Sequence, residues 1–140
     1  MKSLQSWSRK PAVIVAGVKG LVGESLVKVL QERDFPMREL RTLNGRESSA
    51  EALRGADLVF LALPDERARE LAPLAVAQGA VVVDLSGAWR LDPQVPLVVP
   101  GINSATLAKH RGFISSPNCT NVGFALALAP LQRAAGLKSV

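Results

Sequence analysis

The chain has 140 residues, 48% apolar and 21% charged, with one cysteine, one histidine and a formal net charge of +5. That balance suits one globular domain with a buried core and excludes disorder over most of the length. A lone cysteine excludes an intrachain disulfide framework and a Cys/His zinc site, and scattered basic residues with few aromatics give no platform for nucleic acid.

Residues 1–10 carry Trp7 and lysines but no continuous apolar run, so they read as a short tail and not a signal peptide. Residues 11–140 are expected to form the domain. No stretch approaches about 18 apolar residues, which argues against a membrane span and makes the cytoplasm the default compartment.

Residues 11–16 (PAVIVA) form a short apolar, β-branched run ending at Gly17, the pattern of a strand buried on both faces. Residues 21–35 carry Val22, Leu26, Val29 and Leu30 at helical spacing, and Pro36 closes them. Residues 40–43 predict a weaker strand, 44–49 a loop and 50–53 a short helical turn. A second buried strand is expected over 57–63. It is followed by a helix from Asp65, as N-cap, to Gln78, with Gly79 as its stop.

A third buried strand covers 80–85. Pro93, Pro96 and Pro100 then mark an irregular stretch broken by the apolar Leu97, Val98 and Val99. A brief helix (104–110) and a short strand (113–115) precede a last helix that begins near Asn118, where Pro130 should kink or split it. Residues 137–140 look like the start of another strand. Strands alternating with helices imply an α/β fold, a Rossmann-like doubly wound parallel sheet in a single domain.

Gly17, Gly20 and Gly23 have the form G-x-x-G-x-x-G between the first strand and the first helix. Such a loop permits a tight turn, close approach to a pyrophosphate and close helix–strand packing, while the helix N-terminus supplies N–H groups to the anion. Gly17, Lys19, Gly20, Leu21, Val22 and Gly23 are therefore candidate cofactor-binding residues, with an ordinary glycine-rich turn as the alternative. At the end of the second strand, Arg46 among Ser48 and Ser49 suits the 2′-phosphate of NADP, and Glu47 keeps NAD open.

Cys119, in the sequence Ser116-Pro-Asn-Cys-Thr120, opens the last helix. There it meets unpaired N–H groups and the positive end of the helix dipole, which suits a nucleophile; a small buried hydrophobe is the alternative. Asn118 can cap the helix or turn its amide toward an oxyanion. After the third strand, Ser86 and Arg90 could hold a phosphate or carboxylate, although Arg90 could equally form a surface ion pair. His110, in a polar turn, reads as a surface residue.

The order of Gly17-x-x-Gly20-x-x-Gly23, DLSGAWR at 84–90, PLVVPGIN at 96–103, His110-Arg-Gly112 and Ser116-Pro-Asn-Cys-Thr120 resembles the aspartate-semialdehyde dehydrogenase family. It is also similar to the N-acetyl-γ-glutamyl-phosphate reductases: Asn-Cys before the last helix favours the aspartyl branch, and FLALPD at 60–65 the other. The loop after Arg46 is shorter than the aspartyl family's, Lys19 stands where a small hydroxyl residue is usual, and Gly101 replaces a usual glutamate.

The resemblance implies NADP-dependent reduction of an acyl phosphate to an aldehyde through a cysteine thioester. Cys119 would be the nucleophile with Asn118 beside it, Arg90 and Ser86 would hold substrate phosphate, and the glycines would hold the cofactor. The family's second domain, with its general-base histidine and substrate-binding arginine, would follow Val140. The 140-residue chain is therefore expected to be inactive alone, its partners being a small acyl phosphate or semialdehyde and either a second copy or another chain. A nucleotide-binding or regulatory module without turnover is the competing expectation.

Overall fold

The computed structural model describes residues 9–139, so most of the expected tail, Trp7 included, lies outside it. Strand β1 (Ala12–Ala16) is buried along its whole length, as a strand needs to be when helices cover both faces of its sheet. Its side chains alternate between two cores. Ile14 and Ala16 pack with Leu61, Ala68, Leu71 and Ala75, whereas Val13 and Val15 pack with Leu26, Val27 and Leu30.

Helix α1 (Leu21–Glu32) supplies the second core and α2 (Asp65–Ala77) the first. The remaining strands are β2 (Glu39–Leu43), β3 (Leu58–Leu61), β4 (Val81–Asp84) and β5 (Phe113–Ser115). All pairings are parallel, in the order β2-β1-β3-β4-β5, which is the expected α/β Rossmann-like sheet. The chain leaves β1 for edge strand β2 and returns to β3 on the other side of β1. A crevice therefore opens between their carboxyl ends, where open sheets of this kind bind ligands.

Several boundaries differ from expectation. The second buried strand is only Leu58–Leu61, because Asp57 turns its carboxylate back to accept the Ala12 N–H at 2.9 Å. Asp65 is the first residue of α2 and not its cap; Pro64 holds the cap position. Residues 50–53 form turns without a helix, held by Arg41, which donates to the Ala52 and Arg54 carbonyls at 3.1 and 2.8 Å.

Gly79 does stop α2. At φ +90° its N–H bonds the Val76 carbonyl and the Ala80 N–H bonds that of Ala75, a left-handed C-terminal cap. The apolar 97–99 run adds a single parallel bridge, Leu97 to Ser115, beside β5.

A 3-10 turn (Ser104–Lys109) precedes β5, and α3 (Cys119–Ala135) runs unbroken through Pro130. Proline removes one N–H from the helical ladder, and α3 buries no residue whose packing would amplify the loss. Residues 137–139 are not a strand: the Leu137 N–H is held by the Gln132 side chain at 2.6 Å. Val140 lies outside the described residues. Among those residues no helix is long and apolar enough to cross a membrane.

Candidate functional site

The glycine loop follows β1 directly. Gly17 has φ +94°, and its N–H reaches across to the Leu43 carbonyl of β2 at 2.7 Å. A Cβ on Gly17 would lie 2.0 Å from the Ala62 carbonyl oxygen, and one on Gly23 would lie 2.4 Å from the Gly17 oxygen. Both glycines are demanded by the fold itself. Gly20 is different: its φ is −88°, and an added Cβ would meet only the Gly17 oxygen at an ordinary 3.4 Å.

No close contact within the chain excludes a side chain at position 20, so the backbone there is open to close approach from outside. Gly20 occupies the cap position of α1 without a side-chain cap. The first helical bond runs from the Glu24 N–H to the Gly20 carbonyl at 3.0 Å, so the amides of residues 21–23 have no intrahelical partner. Leu21 is 81% and Val22 55% exposed, leaving two apolar side chains at the same mouth. Lys19 is exposed as well.

Beside this loop lies a cavity of about 990 Å³ lined by Lys19, Asn44, Gly45, Arg46, Glu47, Leu63, Pro64 and Arg67. Arg46 is brought to it as expected. Ser48 is not: it is buried, and its hydroxyl donates to the Asn44 carbonyl at 2.8 Å, closing the turn from inside. The Asn44 side chain accepts the Arg46 and Glu47 amides at 3.0 Å each. The Glu47 carboxylate lies 3.4 Å from the Asn44 N–H. Sequence reasoning missed Arg67, which reads as one more exposed cation on α2. Its place three residues after Pro64, which caps α2, was the available signal.

The carboxyl end of β4 carries the next group. Asp84 is fully buried and accepts from the Ser86 N–H at 3.2 Å and the Ser86 hydroxyl at 2.8 Å. The Ser86 oxygen in turn accepts the Ala88 N–H at 3.1 Å, so Ser86 shapes the loop from within and is not presented to a ligand. Burial pushes the Asp84 carboxyl above its ordinary value, opposed by the Ser86 bonds and by Arg90, and aided by Asp65. Asp65 ties the loop to α2 by accepting the Gly87 N–H at 2.8 Å.

Arg90 is no surface ion pair. Its Nε donates to the Ser116 carbonyl at 3.0 Å and Nη2 to the Leu85 carbonyl at 3.1 Å, and among the described residues Nη1 has no hydrogen-bond partner. This fork joins the β4 loop to the segment that leads into Cys119. Cys119 is exposed and is the first residue of α3, with its sulfur 3.8 Å from the Asn118 side-chain oxygen. Of the two expected uses of Asn118, the structure shows the cap: its Oδ1 accepts the Thr120 N–H at 2.9 Å.

His110, expected on the surface, is buried, and its Nδ1 accepts the Gly112 N–H at 3.0 Å. It precedes β5 and so lies at the amino end of that strand, whereas Cys119 follows its carboxyl end; a separate cavity of about 410 Å³ lies beside it.

Comparison with known proteins gives the family and the fold. Residues 39–110 match the family model for the semialdehyde dehydrogenase NAD binding domain. Aspartate-semialdehyde dehydrogenase of Prochlorococcus marinus is 37% identical over 94% of this chain and 43% of its own length. That of Bacillus subtilis is 34% identical over 91% and 42%. The crystal structure of Vibrio cholerae aspartate semialdehyde dehydrogenase II complexed with ASA superposes with a TM-score of 0.83 and 30% identity, over 93% of this chain and 49% of that one. The chain thus spans less than half the length of these relatives.

Proposed function

Since the chain belongs to the semialdehyde dehydrogenase NAD-binding-domain family, we propose that it is the NADP-binding part of an enzyme that reduces an acyl phosphate to a semialdehyde, with Cys119 as nucleophile. The observation that carries this reading is the Arg90 bond to the Ser116 carbonyl, which sets a guanidinium with one unbonded arm beside the turn that opens on Cys119. The thiolate would attack the acyl carbon, a thioester would form and phosphate would leave. Arg90 Nη1 would hold the departing phosphate. Gly20 and the amides of residues 21–23 would cradle the cofactor's pyrophosphate, with Lys19 and Arg46 on its adenosine side. A reduced nicotinamide, when bound, supplies the hydride that releases the aldehyde.

Asn118 orients the helix start, leaving its amide nitrogen free of the cap. Among the described residues the only hydrogen-bond partner of the Cys119 sulfur is Asn118, and His110 is buried at the opposite, amino end of β5. Positioned proton transfer contributes about 10²- to 10⁴-fold, so the 140-residue chain by itself should turn over below detection.

The test is titration of the chain with NADPH and NADH, for wild type and Gly20→Ala, followed by assay with aspartate semialdehyde, NADP and phosphate. The reading expects NADPH to bind more tightly than NADH, Gly20→Ala to weaken both, and no measurable turnover. Failure to bind either nucleotide would remove the cofactor assignment. Turnover at an ordinary enzymatic rate, abolished by Cys119→Ala, would show that the acid–base group was misplaced.

A further inference from the structure

The turn after β2 is propped from below by a residue of α2. The carbonyl of buried Ser48 accepts Arg67 Nη2 at 2.6 Å, and the Ser48 hydroxyl closes the turn on Asn44 at 2.8 Å. Arg67 therefore supports the segment that presents Arg46. Arg67 also lines the same cavity of about 990 Å³ as Lys19 and Arg46.

The three cations arrive from three elements: the glycine loop, the turn after β2 and the first turn of α2. Among the described residues neither the Lys19 ammonium nor the Arg46 guanidinium has a hydrogen-bond or ion-pair partner. Arg67 is paired on its other arm with Glu70, in the same helix. Glu47 is the one acid lining the cavity, and its carboxylate lies over the Asn44 amide. A dianionic phosphate monoester matches this charge set; a bare ribose hydroxyl, which calls for an acceptor, does not.

We propose that Arg67 is the specificity-determining residue for the cofactor's 2′ substituent, holding the Arg46 turn in place and contributing its own charge to a 2′-phosphate. The assignment rests on the reading of this edge as a dinucleotide site, and the test separates the two. NADPH and NADH dissociation constants are measured for the 140-residue wild type, Arg67→Met and Arg67→Lys. Arg67→Met should weaken NADPH about tenfold or more, with NADH changed less than about twofold. Arg67→Lys should recover part of the preference, because it keeps the charge and loses the planar fork.

If Arg67→Met does not fold, Glu70→Gln decides. Glu70 is exposed, and freeing the second arm of Arg67 should raise the NADPH-to-NADH preference about threefold. A wild type that prefers NADPH while these substitutions leave the ratio unchanged would overturn the role of Arg67 alone. A wild type that binds neither nucleotide would overturn the cofactor reading and this inference with it.

Discussion

Arg90 and Ser116, twenty-six positions apart, are joined by a 3.0 Å bond from the guanidinium Nε to a backbone carbonyl. The same side chain holds the Leu85 carbonyl at 3.1 Å, so one residue fastens the loop after β4 to the entry of α3. Replacing it should therefore be a stability lesion as well as a binding one. Arg90→Ala is expected to destabilise the chain by about 1–3 kcal/mol, since it leaves two part-buried carbonyls without a charged donor. Arg90→Lys should restore less than half, because an ammonium cannot reproduce the planar fork. Urea unfolding checks this; a midpoint unchanged in Arg90→Ala would mean that the clamp holds nothing.

The three glycines of the loop should separate by phenotype. Gly17→Ala combines a left-handed φ of +94° with a methyl 2.0 Å from the Ala62 carbonyl, and Gly23→Ala presses 2.4 Å onto the Gly17 oxygen. Each should cost about 3 kcal/mol or more and leave little folded protein. Gly20→Ala should unfold near the wild-type midpoint and lose nucleotide binding. Equal destabilisation by all three would remove the argument that Gly20 is kept for a ligand.

Asp84 makes stability depend on pH with a definite sign. Its carboxyl is raised above the ordinary value chiefly by burial, so the folded state binds the proton more tightly than the unfolded state does. Stability from this group is present below the ordinary aspartate value and is lost as pH rises through the raised one. Asp84→Asn keeps an oxygen acceptor for the Ser86 amide and removes the ionisation. Measured from about pH 4 to about pH 7, wild type should lose ground to Asp84→Asn as pH rises. A pH-independent difference between the two would contradict the assignment.

Asn118 caps α3 through the Thr120 amide, and Asn118→Ala should cost about 1 kcal/mol of helix stability. The same capped turn should make Cys119 react with iodoacetamide faster in the folded chain than in urea, because free amides and the helix dipole surround an exposed sulfur. Folded rates equal to or below those of the unfolded chain would leave Cys119 without the environment of a nucleophile.

The centre of the sheet was legible in the sequence because β1, β3 and β4 are largely buried on both faces and so read as apolar runs, whereas the exposed edge strand β2 gave a weaker signal. Gly79 was legible as a helix stop because a positive φ is a local steric matter. Gly17 and Gly23 were legible by their spacing after a strand, although the contact that bars a side chain on Gly17 is with distant Ala62. What escaped depends on which way a side chain turns once the chain is folded, whether its partner is four residues away or nineteen. Ser48 looked like a ligand by its neighbourhood to Arg46, yet one hydrogen bond to Asn44 turns it inward. Arg67 looked like surface charge, yet it reaches nineteen residues back to the turn after β2. Arg90 looked like a free cation or an ion pair, but its partners are two carbonyls that only the packed sheet edge brings within reach. His110 sits in a polar stretch, yet it is buried and shares a cavity wall with Val76 at the end of α2 and Val81 at the start of β4, which no local pattern records.

The central claim is that the glycine loop and Cys119 belong to one site at the carboxyl edge of the sheet. The most direct test is the rate of Cys119 alkylation by iodoacetamide, measured with and without saturating NADPH, in wild type and in Gly20→Ala. A nicotinamide delivered by the glycine loop should cover the sulfur and slow alkylation of the wild type by about fivefold or more, with little effect in Gly20→Ala. NADPH that binds the wild type but leaves the alkylation rate unchanged would place cofactor and cysteine in separate sites and contradict the account.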